Sequence, residues 1–168
     1  LAGAYRAVGR IDEAIPLFEQ VLADRRRVLG DDHPSTLASG GNLAYAYQTV
    51  GRIDEAIPLY EQVLVGCRRV LGDDHPDTLA SGGNLAYAYQ TVGRIDEAIP
   101  LYEQVLADRR RVLGDDRGTR AIAANLQKAT YAAGSSTKGA EAPKADTHYR
   151  KNHGGHGRQH EATPDDDR

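Results

Sequence analysis

The chain has 168 residues, 40% of them hydrophobic, and its 21 basic and 24 acidic side chains leave a formal net charge of −3. Charges of both signs are interspersed through most of the chain, so no field arises that would recruit nucleic acid or an anionic membrane. The single cysteine, Cys67, excludes an intrachain disulfide framework, and no apolar run approaches the roughly 20 residues that span a bilayer; a cytoplasmic location is the expectation.

In chain order, LAGAYRAVG (1–9) aligns with LAYAYQTVG (43–51), so the chain reads as opening halfway through a helix. The stripe on residues 11–29 is then partly uncovered, which invites self-association through the N-terminal repeat. GRIDEAIPL follows at 9–17 and returns at 51–59 and 93–101, a period of forty-two. Residues 9–50 and 51–92 differ at five positions: Phe18 against Tyr60, Ala23 against Val65, Asp24 against Gly66, Arg25 against Cys67, and Ser35 against Asp77. A fixed period of this size marks an array in which each unit buries its apolar face against its neighbours.

The second copy shows what the unit is. Ile53, Ala56, Ile57, Tyr60, Val63, Leu64, Cys67, Val70 and Leu71 recur at steps of three and four, the stripe of an amphipathic helix. Asp54 is its expected N-cap, with Pro58 in the first turn and Gly72 as the stop. DDHPDT opens another helix with Pro76 at its first position and a stripe of Leu79, Leu85, Ala86, Tyr89 and Val92, stopped at Gly93. Each repeat is thus two antiparallel helices. Gly40-Gly41 and Gly82-Gly83 lie inside one of them at a cost of about 1 kcal/mol each relative to Ala, so its early part is expected to be weak. Two readings of these glycines stand: close approach of a ligand backbone, or helix-to-helix packing or a kink. In the fourth copy, after a one-residue deletion, Ala123 and Ala124 replace them in AIAANLQKATYAAG, a closing helix. From residue 135 the chain is polar and rich in Gly and Pro, the composition of a disordered tail, 135–168.

Leu85, Ala86, Tyr89, Gly93, Ala98, Tyr102 and Val105, recurring as Leu43, Ala44, Tyr47, Gly51, Ala56, Tyr60 and Val63, resemble the tetratricopeptide repeat pattern. The usual unit is about 34 residues, and one added turn per helix at about 3.6 residues per turn makes up the difference. The longer form resembles the kinesin light chain type, also found in bacterial regulatory proteins. The resemblance implies an all-α fold: a right-handed α-solenoid of antiparallel helix pairs, a TPR superhelix. Its array covers 1–134, with a truncated first repeat (1–29), a second (30–71), a third (72–113) and a C-terminal capping helix (114–134). It also implies no enzymatic activity, no cofactor, and a protein or peptide partner on the concave face. The alternative is a regulatory segment of a larger signalling NTPase.

The candidate site lies on the first helix of each pair. Asn42, Tyr45 and Thr49 share a face, Asn84, Tyr87 and Thr91 repeat it, and Gln48 and Gln90 flank it. An Asn amide donates to and accepts from an extended backbone at once, so Asn42, Asn84 and Asn125 form a ladder for a bound segment, with tyrosines to stack on it. Alternatively these are ordinary polar surface residues. Lys128 replaces the tyrosine in the fourth copy. Arg25-Arg26-Arg27, Cys67-Arg68-Arg69 and Arg109-Arg110-Arg111 could hold phosphate, or serve as solvated ends complementing the helix dipole. His33 and His75 precede Pro and read as capping residues, Cys67 as a stripe-edge residue. No catalytic constellation and no phosphate loop are found, and no metal site is assigned, although His148, His153, His156 and His160 crowd the tail.

Overall fold

The computed structural model describes residues 11–140, with side chains to residue 135. Within them lie α1 (Ile11–Leu29), α2 (Pro34–Thr49), α3 (Ile53–Leu71), α4 (Pro76–Thr91), α5 (Ile95–Leu113) and α6 (Arg117–Ala140). Each helix packs on its neighbours in sequence, and α4 also touches α6. This is a stack of helix hairpins, an α-solenoid.

The glycines that end the helices fall every twenty-one residues. Gly30, Gly51, Gly72, Gly93 and Gly114 all have φ between +71° and +87°, a region open to Gly and strained for other residues. The forty-two-residue repeat therefore contains two half-units of equal length, each closed by one left-handed residue.

The helices begin in two ways. His33 and His75 are the N-caps of α2 and α4, each accepting on Nδ1 from the backbone N–H two residues on, at 3.1 and 3.2 Å, with Pro34 and Pro76 at the first helical position. At α6 the cap is Asp116, whose Oδ1 accepts from the Thr119 N–H at 2.6 Å. Its carboxyl is held down at about 2, first by that backbone N–H. The longer helices α3 and α5 start two residues earlier than N-caps at Asp54 and Asp96 would set. Their N-cap positions are Arg52 and Arg94, which make no side-chain cap bond. The reason is tertiary: the Arg52 guanidinium lies 4.4 Å above the Tyr47 ring and grips Glu55, while the Arg52 backbone N–H donates to the Tyr47 carbonyl at 2.8 Å. Asp54 is thus inside the helix, and Pro58 falls in the second turn rather than the first. Asp54, whose carbonyl would have accepted the N–H that Pro58 lacks, is in the exposed opening turn.

Small and large residues alternate through the core. Ala14, Ala44, Ala56, Ala86 and Ala98 are wholly buried and let the helices close on one another, while Tyr60 and Tyr102 fill the space between them. The glycine pairs do not break α2 or α4. A Cβ on Gly40 would stand 2.8 Å from Val63 Cγ2, and one on Gly82 would stand 2.7 Å from Val105 Cγ2. Close helix packing is the reading that holds at these two positions.

Carboxylates of the loops tie successive repeats together. Arg69 pairs back to Asp32, and Arg111 Nη1 donates to Asp74 Oδ2 at 2.8 Å. One further boundary differs from expectation. The closing helix continues to Ala140 instead of stopping at Gly134, because Gly134 has no following Pro or second glycine to end it and residues 135–140 extend its last turns. The tail beyond 140 lies outside the described residues, as does the stretch 1–9 that is expected to open halfway through a helix.

Candidate functional site

The repeated polar strip is present on α2 and α4, but its members are not equivalent. Asn42, Tyr45, Asn84 and Tyr87 are exposed, the two tyrosines at 43% and 48%. Gln48 and Gln90 are half-buried, and their side-chain oxygens accept from the hydroxyls of Tyr60 and Tyr102 at 2.8 and 2.9 Å. Thr49 and Thr91 are exposed, yet their hydroxyls donate to the carbonyls of Tyr45 and Tyr87 in their own helices at 2.8 Å. Asn125 is half-buried and bonds the Tyr102 hydroxyl. Four side chains thus face solvent, while Gln48, Gln90 and Asn125 are engaged inward.

Between α2 and α4 these residues border a groove of about 380 Å³. Its floor is Leu37, Val63, Cys67 and Leu71, its polar rim includes Asn42, Tyr45 and Asn84, and Asp77 closes one end. The groove exists because side chains are missing from it: nothing lies within 4 Å of where a Cβ on Gly41 would be. One step along the array the matching place is filled, since Ile122 Cδ1 would stand 2.7 Å from a Cβ on Gly83.

Cys67 and Asp77 are groove residues that the sequence pattern does not single out, whereas Gly41 lies in the pair for which approach of a ligand backbone is one of the expectations. The available signal was the short roll of differences between copies, because both Cys67 and Asp77 are among them. Cys67 is buried, its thiol is pushed up by burial, and Ser81 Oγ lies 3.8 Å from its sulfur. A thiol so placed is an inert wall, not a nucleophile.

A second groove, of about 640 Å³, runs between α1 and α3 over a floor from α2. It opens at Gly66, toward which Leu37 leans so closely that a Cβ there would meet Leu37 Cδ2. In the following repeat Asp108 stands at that position and the space shrinks to about 10 Å³.

The arginine clusters are paired at the helix ends. Arg26 and Arg68 reach Asp31 and Asp73 at 3.2 and 3.3 Å, Arg109 reaches Asp116 at 3.1 Å, and Arg25 donates to the Ser35 carbonyl at 2.8 Å. The exposed pairs of Arg26 and Arg68 organise loops and contribute little each, while Arg109 is largely buried beside Asp116. Behind the candidate face, Tyr47 and Tyr89 donate to Glu19 and Glu61 at 2.7 Å. Burial first and the carboxylate second push both phenols up to about 12. Among the described residues no three His, Cys, Asp or Glu side chains converge as metal ligands; the tail histidines lie outside that range. No helix among the described residues is long and apolar enough to cross a membrane.

Stacked helix hairpins closed by a fixed rhythm of left-handed glycines, with small residues at the crossings and a polar strip on alternate helices, define a helical-repeat array. Comparison with known proteins makes this specific: the tetratricopeptide repeat family model matches residues 1–64, 36–107 and 81–142. The chain belongs to the tetratricopeptide repeat family. Among solved structures it is similar to a kinesin light chain-type protein of Podosopora anserina with nearly identical TPR-like repeats, at 39% identity and a TM-score of 0.75, over 83% of this chain and 67% of that one. A variant of that protein matches at 38% identity and a TM-score of 0.75, over 83% and 66%. BtubC (BKLC) from P. vanneervenii shares the fold at 18% identity and a TM-score of 0.64, over 97% of this chain and 68% of that one. The chain thus spans about two-thirds of the length of these structures. No curated protein matches it. Tetratricopeptide arrays generally serve as protein–protein interaction modules.

Proposed function

We propose that this array is a non-enzymatic module that binds an extended segment of a partner protein along the concave face formed by α2, α4 and α6. The observation that carries the reading is the exposure of Asn42, Tyr45, Asn84 and Tyr87 around the groove between α2 and α4. An Asn side chain from each helix can donate to a backbone carbonyl of the segment and accept from its N–H, holding the chain with little regard to sequence. The tyrosine faces supply apolar contact at small entropy cost. Gln48, Gln90, Thr49, Thr91 and Asn125 support the face, since their best acceptors and donors are engaged within the protein.

The test is capture of a mixed heptapeptide library by the full chain, read by fluorescence anisotropy and compared with a protein carrying Asn42→Ala and Asn84→Ala. Loss of capture with unchanged helicity supports the reading; equal capture removes the Asn ladder from it. Self-association is a second property supported by α1, where Val21 is 42% exposed while Val63, its counterpart in α3, is buried. Light scattering across a concentration series reads it directly, and a strictly monomeric chain rejects it.

A further inference from the structure

The copies of this repeat are so alike that a cluster of differences is itself informative. Two of the five changes between residues 9–50 and 51–92, Arg25 to Cys67 and Ser35 to Asp77, fall on side chains that line the groove between α2 and α4. In the first copy Arg25 Nη1 donates to the Ser35 carbonyl and to Ser39 Oγ, both at 2.8 Å, which places a guanidinium beside the start of α2. In the second copy that guanidinium is gone. The shorter Cys67 sits buried under the groove near Ser81, and Asp77 brings a carboxylate to its end. The same place in the fold has therefore changed from one positive charge to one negative charge and has been emptied of a long side chain.

Among the described residues that line this groove, Asp77 is the only charged one. Its side chain is 77% exposed, and among the described residues it pairs with no Arg or Lys; its nearest charged-capable neighbour is His75 Nδ1 at 3.8 Å. The floor beside it, Leu37, Val63 and Leu71, is apolar. A basic side chain combines the two properties that this site asks for, an aliphatic stem for the floor and a charge for the rim.

We infer that the groove between α2 and α4 anchors a lysine or arginine of the bound segment, with its methylenes on Leu37, Val63 and Leu71 and its charge beside Asp77. This rests on the peptide-binding role proposed above for the same face, and gives that otherwise sequence-tolerant grip a preference at one position. Charge complementarity selects the partner: an acidic segment would bring like charges together at Asp77.

The experiment uses the full chain and pools of blocked heptapeptides whose central residue is fixed as Arg, Lys, norleucine or Glu, the other positions being mixtures. Anisotropy is read for wild type, Asp77→Ser and Cys67→Arg, with Asn42→Ala plus Asn84→Ala as the control for the face. Both single substitutions restore the residue that the first copy carries, so the fold accommodates them, and circular dichroism checks that it does. Wild type is expected to bind the Arg and Lys pools about fivefold tighter than the norleucine pool, as an exposed ion pair allows. Asp77→Ser should abolish that difference while leaving norleucine binding unchanged, and Cys67→Arg should weaken the basic pools roughly tenfold by adding a like charge and filling the groove. If all pools bind equally and lose affinity only in the Asn control, the backbone grip stands and the basic anchor is wrong. A preference for the Glu pool overturns the anchor outright. If no pool binds wild type, the peptide-binding reading fails and takes the anchor with it.

Discussion

The buried hydroxyl of Tyr102 donates to Oε1 of Gln90 at 2.9 Å, so a core residue of α5 determines the orientation of a side chain at the edge of the candidate binding face on α4. Tyr60 and Gln48 repeat the pairing one unit earlier at 2.8 Å. Core and face are therefore coupled once per repeat. The first copy carries Phe18 at the tyrosine position, which shows that the ring alone fits that environment. Tyr60→Phe should cost about 1 kcal/mol through the lost hydrogen bond. It should also free the Gln48 amide. Urea denaturation followed by circular dichroism checks the stability, and a loss well below half that value would show that water replaces the hydroxyl.

Adjacent glycines in α2 are expected to respond to alanine with opposite signs. At Gly40 a new Cβ would meet Val63 Cγ2 at 2.8 Å, and Val63 is β-branched with little freedom to move aside. Gly40→Ala should destabilise by about 1–3 kcal/mol, the range for overpacking. Gly41 has nothing within 4 Å, so Gly41→Ala should stabilise by about 0.5–1 kcal/mol through helix propensity and a less flexible unfolded chain. Thermal melts of the two variants settle the contrast, and equal effects would contradict the packing described.

His75 caps α4 by accepting the Asp77 N–H on Nδ1 at 3.2 Å. His75→Ala should cost about 1 kcal/mol, and His75→Asn or His75→Asp should recover most of it, because a short side-chain oxygen makes the same bond. Asp116 already does this at α6. Recovery by Asn but not by Ala identifies the cap as the cause; failure of both would point to packing of the imidazole instead.

High pH should unfold the array. The phenols of Tyr47 and Tyr89 rise from 10.0 to about 12 in the folded protein, and Tyr60 and Tyr102 are raised too, burial being the first cause in each. Below pH 10 all are neutral in both states and their contribution is complete. Between 10 and 12 the unfolded chain ionises first, so stability falls as pH rises through that window. The melting temperature measured across it should drop steeply for wild type and less steeply for Tyr47→Phe. An identical slope for the two would show that Tyr47 does not take part.

Periodicity alone is enough to establish the helix pairs, the glycine stops and the strip of Asn42, Tyr45, Asn84 and Tyr87, because a stripe at steps of three and four leaves one helical solution and the repeats must stack to bury it. What needed the tertiary structure depends on contacts between residues distant in sequence. The Tyr47 ring beneath Arg52 moved the start of α3 ahead of Asp54. The hydroxyls of Tyr60 and Tyr102 drew Gln48 and Gln90 inward, although on a helical wheel these lie beside the exposed strip. The groove over Cys67 followed from side chains absent at Gly41 and shortened at residue 67, whereas Ile122 fills the next such space. Local pattern determines which face of a helix is apolar; whether the space between two helices is filled or open is decided by the volumes that meet there, and these come from different repeats.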